Sequence, residues 1–276
     1  MKPIITACLA LCLLLAGCEG AKLLPPVNEL VVVRGYLQAN APFSGLNISS
    51  TLDLGSPDTV GPPVRDAVVH IIRGETCYEL IHRSRGDYGS PVNPYTPDCP
   101  DCGLMMNAGD TINLEVFHFG KIATASTVIP PQPQNLTMLS SQVVTPSVAE
   151  GAPTGDAFEI SWELEGEYWF YLELSRSGSL HQPVDGGEAV FGYIPSQKTE
   201  LINSRRFVVT WDMLPYYGKW RVKVVAVSRE YVELYLTRNQ DSRDLNEPVS
   251  NVTNGLGIFT AINSDQLDFN VVDSAP

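Results

Sequence analysis

Apolar residues in this chain come in short β-branched clusters or in alternation, and Gly, Pro, Asn and Asp separate the runs. Leu30-Val31-Val32-Val33 leads into Arg34-Gly35-Tyr36, and Val68, Val69, Ile71 and Ile72 lie close together after a Gly-Pro-Pro break. Thr76 to His82, Thr111 to Phe119 and Ala123 to Ile129 continue the pattern, with no helix-period segment among them. Strands divided by turns alone build sandwiches or barrels, whereas βαβ units need intervening helices. The spacing predicts a mainly β protein.

Pro130-Pro131-Gln132-Pro133 ends this series, because proline has no N–H for a sheet ladder. Two β-sandwich domains are expected, over 29–132 and 156–276, joined by 133–155, where Thr137 to Val144 is a candidate strand. In the second domain Phe158-Glu159-Ile160-Ser161-Trp162 alternates, Glu165-Gly166 reads as a tight hairpin turn, and Tyr168 to Ser175 returns. Arg206 to Trp211, Trp220 to Val227, Gly257 to Ile262 and Leu267 to Val272 are further candidates. One short helix is expected over 229–238. Ser228 suits its N-cap, Glu230 complements the dipole, Arg238 lies near its end, and Tyr231, Leu234 and Tyr235 share a face. A Trp strand followed by a Tyr-rich one resembles the opening of a fibronectin III-like sandwich.

The N-terminus carries a different signal. Lys2, an apolar stretch from Ile4 to Leu15, and small residues follow the order of a secretory leader. The stretch is shorter than the roughly 20 residues a membrane-spanning helix needs. Leu15-Ala16-Gly17-Cys18 resembles the lipobox of bacterial lipoproteins, which implies a signal peptide over 1–17 and a lipid on Cys18. Acyl chains contribute about 0.8 kcal/mol per buried CH₂, so attachment to a membrane through the N-terminal lipid is expected. Residues 18–28, with Pro25-Pro26, read as a tether. Glu19 alone is a sparse acidic signal for surface export, so an outer-membrane protein facing either the periplasm or the cell surface is expected.

Lys and Arg total 18 against 31 Asp and Glu, a net charge of −13 that loss of Lys2 takes to −14. Such a surface repels nucleic acid, and no nucleic-acid partner is expected. Outside the leader, Cys77, Cys99 and Cys102 are disulfide candidates in an oxidising compartment. Cys77 joined to Cys99 or Cys102, and a bridge within the pair, both remain open. Cys99-Pro100-Asp101-Cys102 has metal or redox spacing, but Pro97, Pro100 and Gly103 point to a loop and not to an activating helix N-terminus.

No metal, cofactor or catalytic residue is expected. His70, His82, His118 and His181 are scattered, and no Gly-x-Ser-x-Gly elbow occurs. Glu163, Glu165 and Glu167 flank a turn, and Asp241, Asp244 and Glu247 lack the spacing of a calcium loop. Trp162, Trp169, Trp211 and Trp220 read as core. Tyr216 and Tyr217, following Pro215, are the candidate ligand-binding aromatics.

Several segments together carry a family resemblance: Val33-Arg34-Gly35-Tyr36, Pro63-Val64-Arg65-Asp66-Ala67-Val68-Val69, Gly109 to Leu114, Pro248-Val249-Ser250-Asn251-Val252 and Asn254-Gly255-Leu256-Gly257-Ile258-Phe259. The chain resembles the DUF4249 family, uncharacterised lipoproteins of Bacteroidota, across nearly all of its mature length. The Cys99/Cys102 loop departs from the pattern. The resemblance implies a prealbumin-like first domain and genes near TonB-dependent outer-membrane transporters, and it carries over no catalytic residue. The expectation is a non-enzymatic envelope lipoprotein, an accessory or interaction partner of such a transporter. Direct binding of a glycan, peptide or chelate is the alternative.

Overall fold

The computed structural model describes residues 30–43, 45–52, 57–90, 104–146, 151–237 and 250–274. The first strands follow the sequence alternation: in β1 (Val31–Gln38) Val31, Val33 and Leu37 are buried while Arg34 and Tyr36 are exposed. β2 (Leu46–Ser50), β3 (Val68–Arg73), β4 (Thr76–Ser84), β5 (Asp87–Gly89), β6 (Thr111–His118) and β7 (Lys121–Val128) complete the first half. Val33, Ile48, Ile71, Ile112 and Leu114 meet in one apolar cluster, with Met106 and Ile129 from the connections. Each such side chain contributes about 1.5–3 kcal/mol on burial.

The second half opens with β8 (Gln134–Met138), β9 (Gln142–Val144), β10 (Asp156–Glu163) and β11 (Trp169–Arg176). Three two-residue strands follow, β12 (Leu180–His181), β13 (Val190–Phe191) and β14 (Gln197–Lys198). Then come β15 (Arg206–Thr210), a 3₁₀ turn at Trp211–Met213, β16 (Gly218–Val227), α1 (Arg229–Thr237) and β17 (Leu256–Val272). The protein is mainly β, built of open sheets and not a barrel, with one α-helix among the described residues. That helix is not long and apolar enough to cross a membrane.

A twelve-stranded sheet runs β14-β11-β16-β17-β1-β2-β5-β4-β3-β6-β7, with β9 beside the C-terminal end of β17. β15-β10-β8 form a separate sheet, and β12-β13 a two-stranded one. The three-stranded sheet packs on β11, β16 and β17 through a second apolar cluster, where Phe158 meets Phe269 at 5.0 Å and Trp162 meets Phe170 at 5.2 Å. β17 serves both clusters. It pairs in parallel with β1 through Leu256–Ile262 and antiparallel with β16 through Ile262–Val271, burying Phe259 in one core and Phe269 in the other.

Several elements differ from the sequence reading. The two C-terminal segments are one strand, because the polar break between them is inside the sheet: Asn263 is buried and donates to the Pro130 carbonyl at 2.9 Å. Glu165-Gly166 does not close a hairpin. β10 pairs with β15 and β8, β11 with β16 and β14, so the chain crosses between sheets there. A hairpin on Glu165-Gly166 would set Trp162 opposite Trp169 and turn Phe170 to the other face, whereas here Trp162 meets Phe170 across the interior. The candidate strand 137–144 is two strands, β8 and β9. The helix begins at Arg229 as expected, but the Ser228 hydroxyl bonds to Thr260 Oγ1 at 2.7 Å and accepts from the Ala261 amide. Arg238 lies outside the described residues.

Candidate interaction surface

Residues singled out by their chemistry are dispersed. Cys18, Cys99, Cys102, Asp241, Asp244 and Glu247 lie outside the described residues, and Cys77 is exposed on β4. His70 faces Glu115 at 3.9 Å, His118 faces Asp66 at 3.5 Å, and His82 packs edge-on against Tyr88. Glu163 accepts from Asn135 Nδ2 at 2.7 Å, while Glu165 and Glu167 point to solvent. Trp162, Trp211 and Trp220 are core residues, and Trp169 packs partly buried beneath α1. Tyr216 and Tyr217 are half-buried against the second cluster.

The region around those two tyrosines nevertheless holds the best-formed surface feature. β12 and β13 pair Leu180 with Phe191 and His181 with Val190. His181 is fully buried, yet its neighbours on this hairpin are the reverse: Leu180 is 61%, Phe191 78% and Tyr193 85% exposed. Side chains of this size are ordinarily placed inside, and a cluster of them in solvent marks an interaction site.

The hairpin is fixed from below by a polar pin. Arg176 Nη1 lies 2.6 Å from His181 Nδ1, and His181 Nε2 lies 2.8 Å from the Gly192 carbonyl. Arginine has no acceptor, so Nδ1 must accept; Nε2 therefore carries the hydrogen and donates to Gly192, between the two exposed aromatics. Arg176 also donates from Nε to the Tyr217 carbonyl at 2.8 Å and from Nη1 to the Ser177 carbonyl at 2.8 Å. Burial pulls the Arg176 guanidinium below its ordinary pKa, with Tyr216 opposing. An arginine keeps its charge throughout the physiological range even so.

Backbone bonds complete the base. The Tyr217 amide donates to the Gln182 carbonyl at 2.9 Å, Val184 to Pro215 at 3.0 Å, and Gly192 to Ser179 at 2.8 Å. The Tyr216 ring lies 5.5 Å from the His181 ring, and its carbonyl accepts from Trp220 Nε1 at 2.9 Å. The predicted pair Tyr216 and Tyr217 thus stands in the socket of the hairpin. The exposed aromatics are Phe191 and Tyr193, which flank a glycine in a segment without alternation. That flanking was the available signal.

Comparison with known proteins places the chain in a family. The profile of a domain of unknown function, DUF4249, matches residues 23–268, most of its length. The chain belongs to the DUF4249 family. No curated protein matches this DUF4249 chain. A solved structure from work on host cell surface retention of a 1.5-MDa bacterial ice-binding adhesin aligns with it at 11% identity and a TM-score of 0.22. That alignment covers 91% of the DUF4249 chain and 66% of the adhesin chain.

Proposed function

We propose that this DUF4249 protein is a non-enzymatic, lipid-anchored envelope protein that acts as an accessory partner of a TonB-dependent outer-membrane transporter through the pinned aromatic hairpin. The observation that carries the reading is the contrast within that hairpin: Leu180, Phe191 and Tyr193 stand in solvent over an immobilised base. Ordering an interface side chain on binding costs about 0.5–1.5 kcal/mol, and the pin reduces that penalty for this segment in advance.

Placement supports the same reading. Val32, near the start of the body, pairs with Leu256, whereas Trp220, the partner of Arg176, pairs with Phe269. These ends of β17 are separated by up to about 44 Å at about 3.4 Å per residue. A lipid on Cys18 would attach the chain to the outer membrane, facing periplasm or cell surface, and the hairpin lies toward the end of β17 away from the start of β1. In this reading the body divides into a prealbumin-like sandwich over 29–132 and a fibronectin III-like one over 156–276, the second lending Val252, Phe259 and Ala261 to the core of the first.

The test is co-purification. The native protein, captured from detergent-solubilised envelopes, carries a stoichiometric transporter identified by mass spectrometry. The Phe191→Ser/Tyr193→Ser protein, folded and membrane-bound, comes alone. Equal recovery of the transporter with both proteins contradicts the proposal.

A further inference from the structure

A second surface combines charge and apolar groups in the opposite way. Two continuous clefts, of about 600 and 550 Å3, share Arg34, Ser49, Val60 and Gly61 on the outer face of β1, β2 and β17. Val32, Arg34 and Tyr36 of β1 form the floor beside Leu256 and Ile258 of β17, because the register sets Val32 against Leu256 and Arg34 against Ile258. Leu234 of α1 forms one wall, and Thr59 to Pro63 the other. Tyr36 is 48% and Val60 55% exposed, so the apolar lining is open to a ligand.

Both floor and wall are rigid. The wall is tied to β2 by the Ser50 amide bonding to the Pro62 carbonyl at 2.8 Å and Val64 to Ile48 at 3.0 Å. A Cβ on Gly61 would sit 1.7 Å from the Ser50 carbonyl oxygen, so only glycine allows this approach. Gly257 has φ +105°, and a Cβ there would lie 2.0 Å from the Val33 carbonyl oxygen, so β17 reaches β1 only through a glycine.

The charge at the centre is unbalanced. Among the described residues the arginine and lysine ion pairs are those of Arg73, Lys219, Arg221 and Arg229, so Arg34 and Arg85 are two of several cations without a carboxylate partner, and these two share one cleft. Asp87 lines the same cleft but accepts from Asn47 Nδ2 at 2.8 Å. Two cations against one engaged carboxylate is notable in a chain where acids outnumber bases 31 to 18. We propose that this groove binds an amphipathic anion, with its carboxylate or phosphate on Arg34 and Arg85 and its apolar body along Val32, Tyr36, Val60 and Leu234. Each cleft, at about 600 and 550 Å3, falls in the range of small-molecule sites, about 300–1,000 Å3 for most of them. A guanidinium pair suits either acidic head.

The probes are octanoate and octyl phosphate, titrated into the full chain in lipid nanodiscs with empty nanodiscs subtracted. Octanoate is expected to bind, and octanol and acetate at least tenfold more weakly, since each supplies half of the chemistry. Arg34→Gln is expected to weaken octanoate at least tenfold with octanol binding and the melting temperature unchanged, as Arg34 is exposed and its side chain has no hydrogen bond or ion pair among the described residues to lose. Whichever of octanoate and octyl phosphate binds more tightly names the acidic head, and either preference supports the site. Octanol matching the tighter of the two acids, unaltered binding of that acid by Arg34→Gln, or no binding of either acid overturns the proposal. Phe191→Ser/Tyr193→Ser leaves the titration unchanged, so this result stands apart from the transporter reading.

Discussion

The hairpin and the groove are built by inverse rules. The hairpin stands on a polar support and exposes rings: His181 is buried and Arg176 half-buried beneath it, and Phe191 and Tyr193 stand outside. The groove rests on an apolar core and close glycine contacts, and it exposes charge at Arg34 and Arg85. A buried polar network is strong only while each member is satisfied, whereas a packed sheet tolerates the loss of a surface side chain. The two surfaces should therefore fail separately and for different reasons.

The largest effect is expected at the groove floor. Gly257→Ala places a Cβ against the Val33 carbonyl at a left-handed φ, and destabilisation of about 3 kcal/mol or more follows. Urea unfolding measures it, and the hairpin's hydrogen-exchange protection should change only with global stability. The reverse experiment is His181→Ala. It leaves the Arg176 Nη1 and the Gly192 carbonyl without their partner and opens a cavity, about 2–4 kcal/mol in all. Amide exchange should rise selectively over 180–193 while octanoate binding persists. A loss of groove binding in this variant would show that the two regions are coupled.

Smaller effects come from titration. Burial raises the Tyr171 phenol above its ordinary value of 10.0, with Tyr231 and Glu173 adding to the shift. The folded state thus favours the neutral phenol: its stability is intact below pH 10 and falls as pH rises further. Tyr171→Phe should flatten that alkaline fall, leaving the part due to Tyr88, whose pKa burial also raises. Least of all, Asp268 is held below the ordinary carboxylate range by its hydrogen bond from Arg221, helped by Lys219. That contribution is present above about pH 4 and lost as pH falls through the lowered folded value. Asp268→Asn should remove a slight acid-limb slope in the melting temperature. The pair lies at the solvent-facing surface, so neither the hairpin nor the groove should respond.

Much of the fold was legible because it rests on alternation. Val31, Val33 and Leu37 against Arg34 and Tyr36 announce β1, and the helix was placed at its true start. Features that depend on distant partners were not legible. Asn263-Ser264-Asp265-Gln266 looks like a loop until the Pro130 carbonyl is there to receive Asn263. The crossing at Glu165-Gly166 is decided by which sheet each flank joins, and local pattern is the same for either outcome. For the site, the aromatic residues after Pro215 lie in the socket beneath the exposed hairpin and not among its solvent-facing rings. His181 is one of four scattered histidines in the sequence because Arg176 and the Gly192 carbonyl, its two partners, come together only in the folded chain.

The most direct test of the central claim is photo-crosslinking in intact cells, with benzoylphenylalanine placed at Tyr193 and, as a control, at Leu139, which is fully exposed on the β8–β9 connection. The account predicts one strong adduct from position 193, a TonB-dependent transporter, and none of it from position 139. Adducts to lipid alone at 193, or the same adducts from both positions, would contradict it.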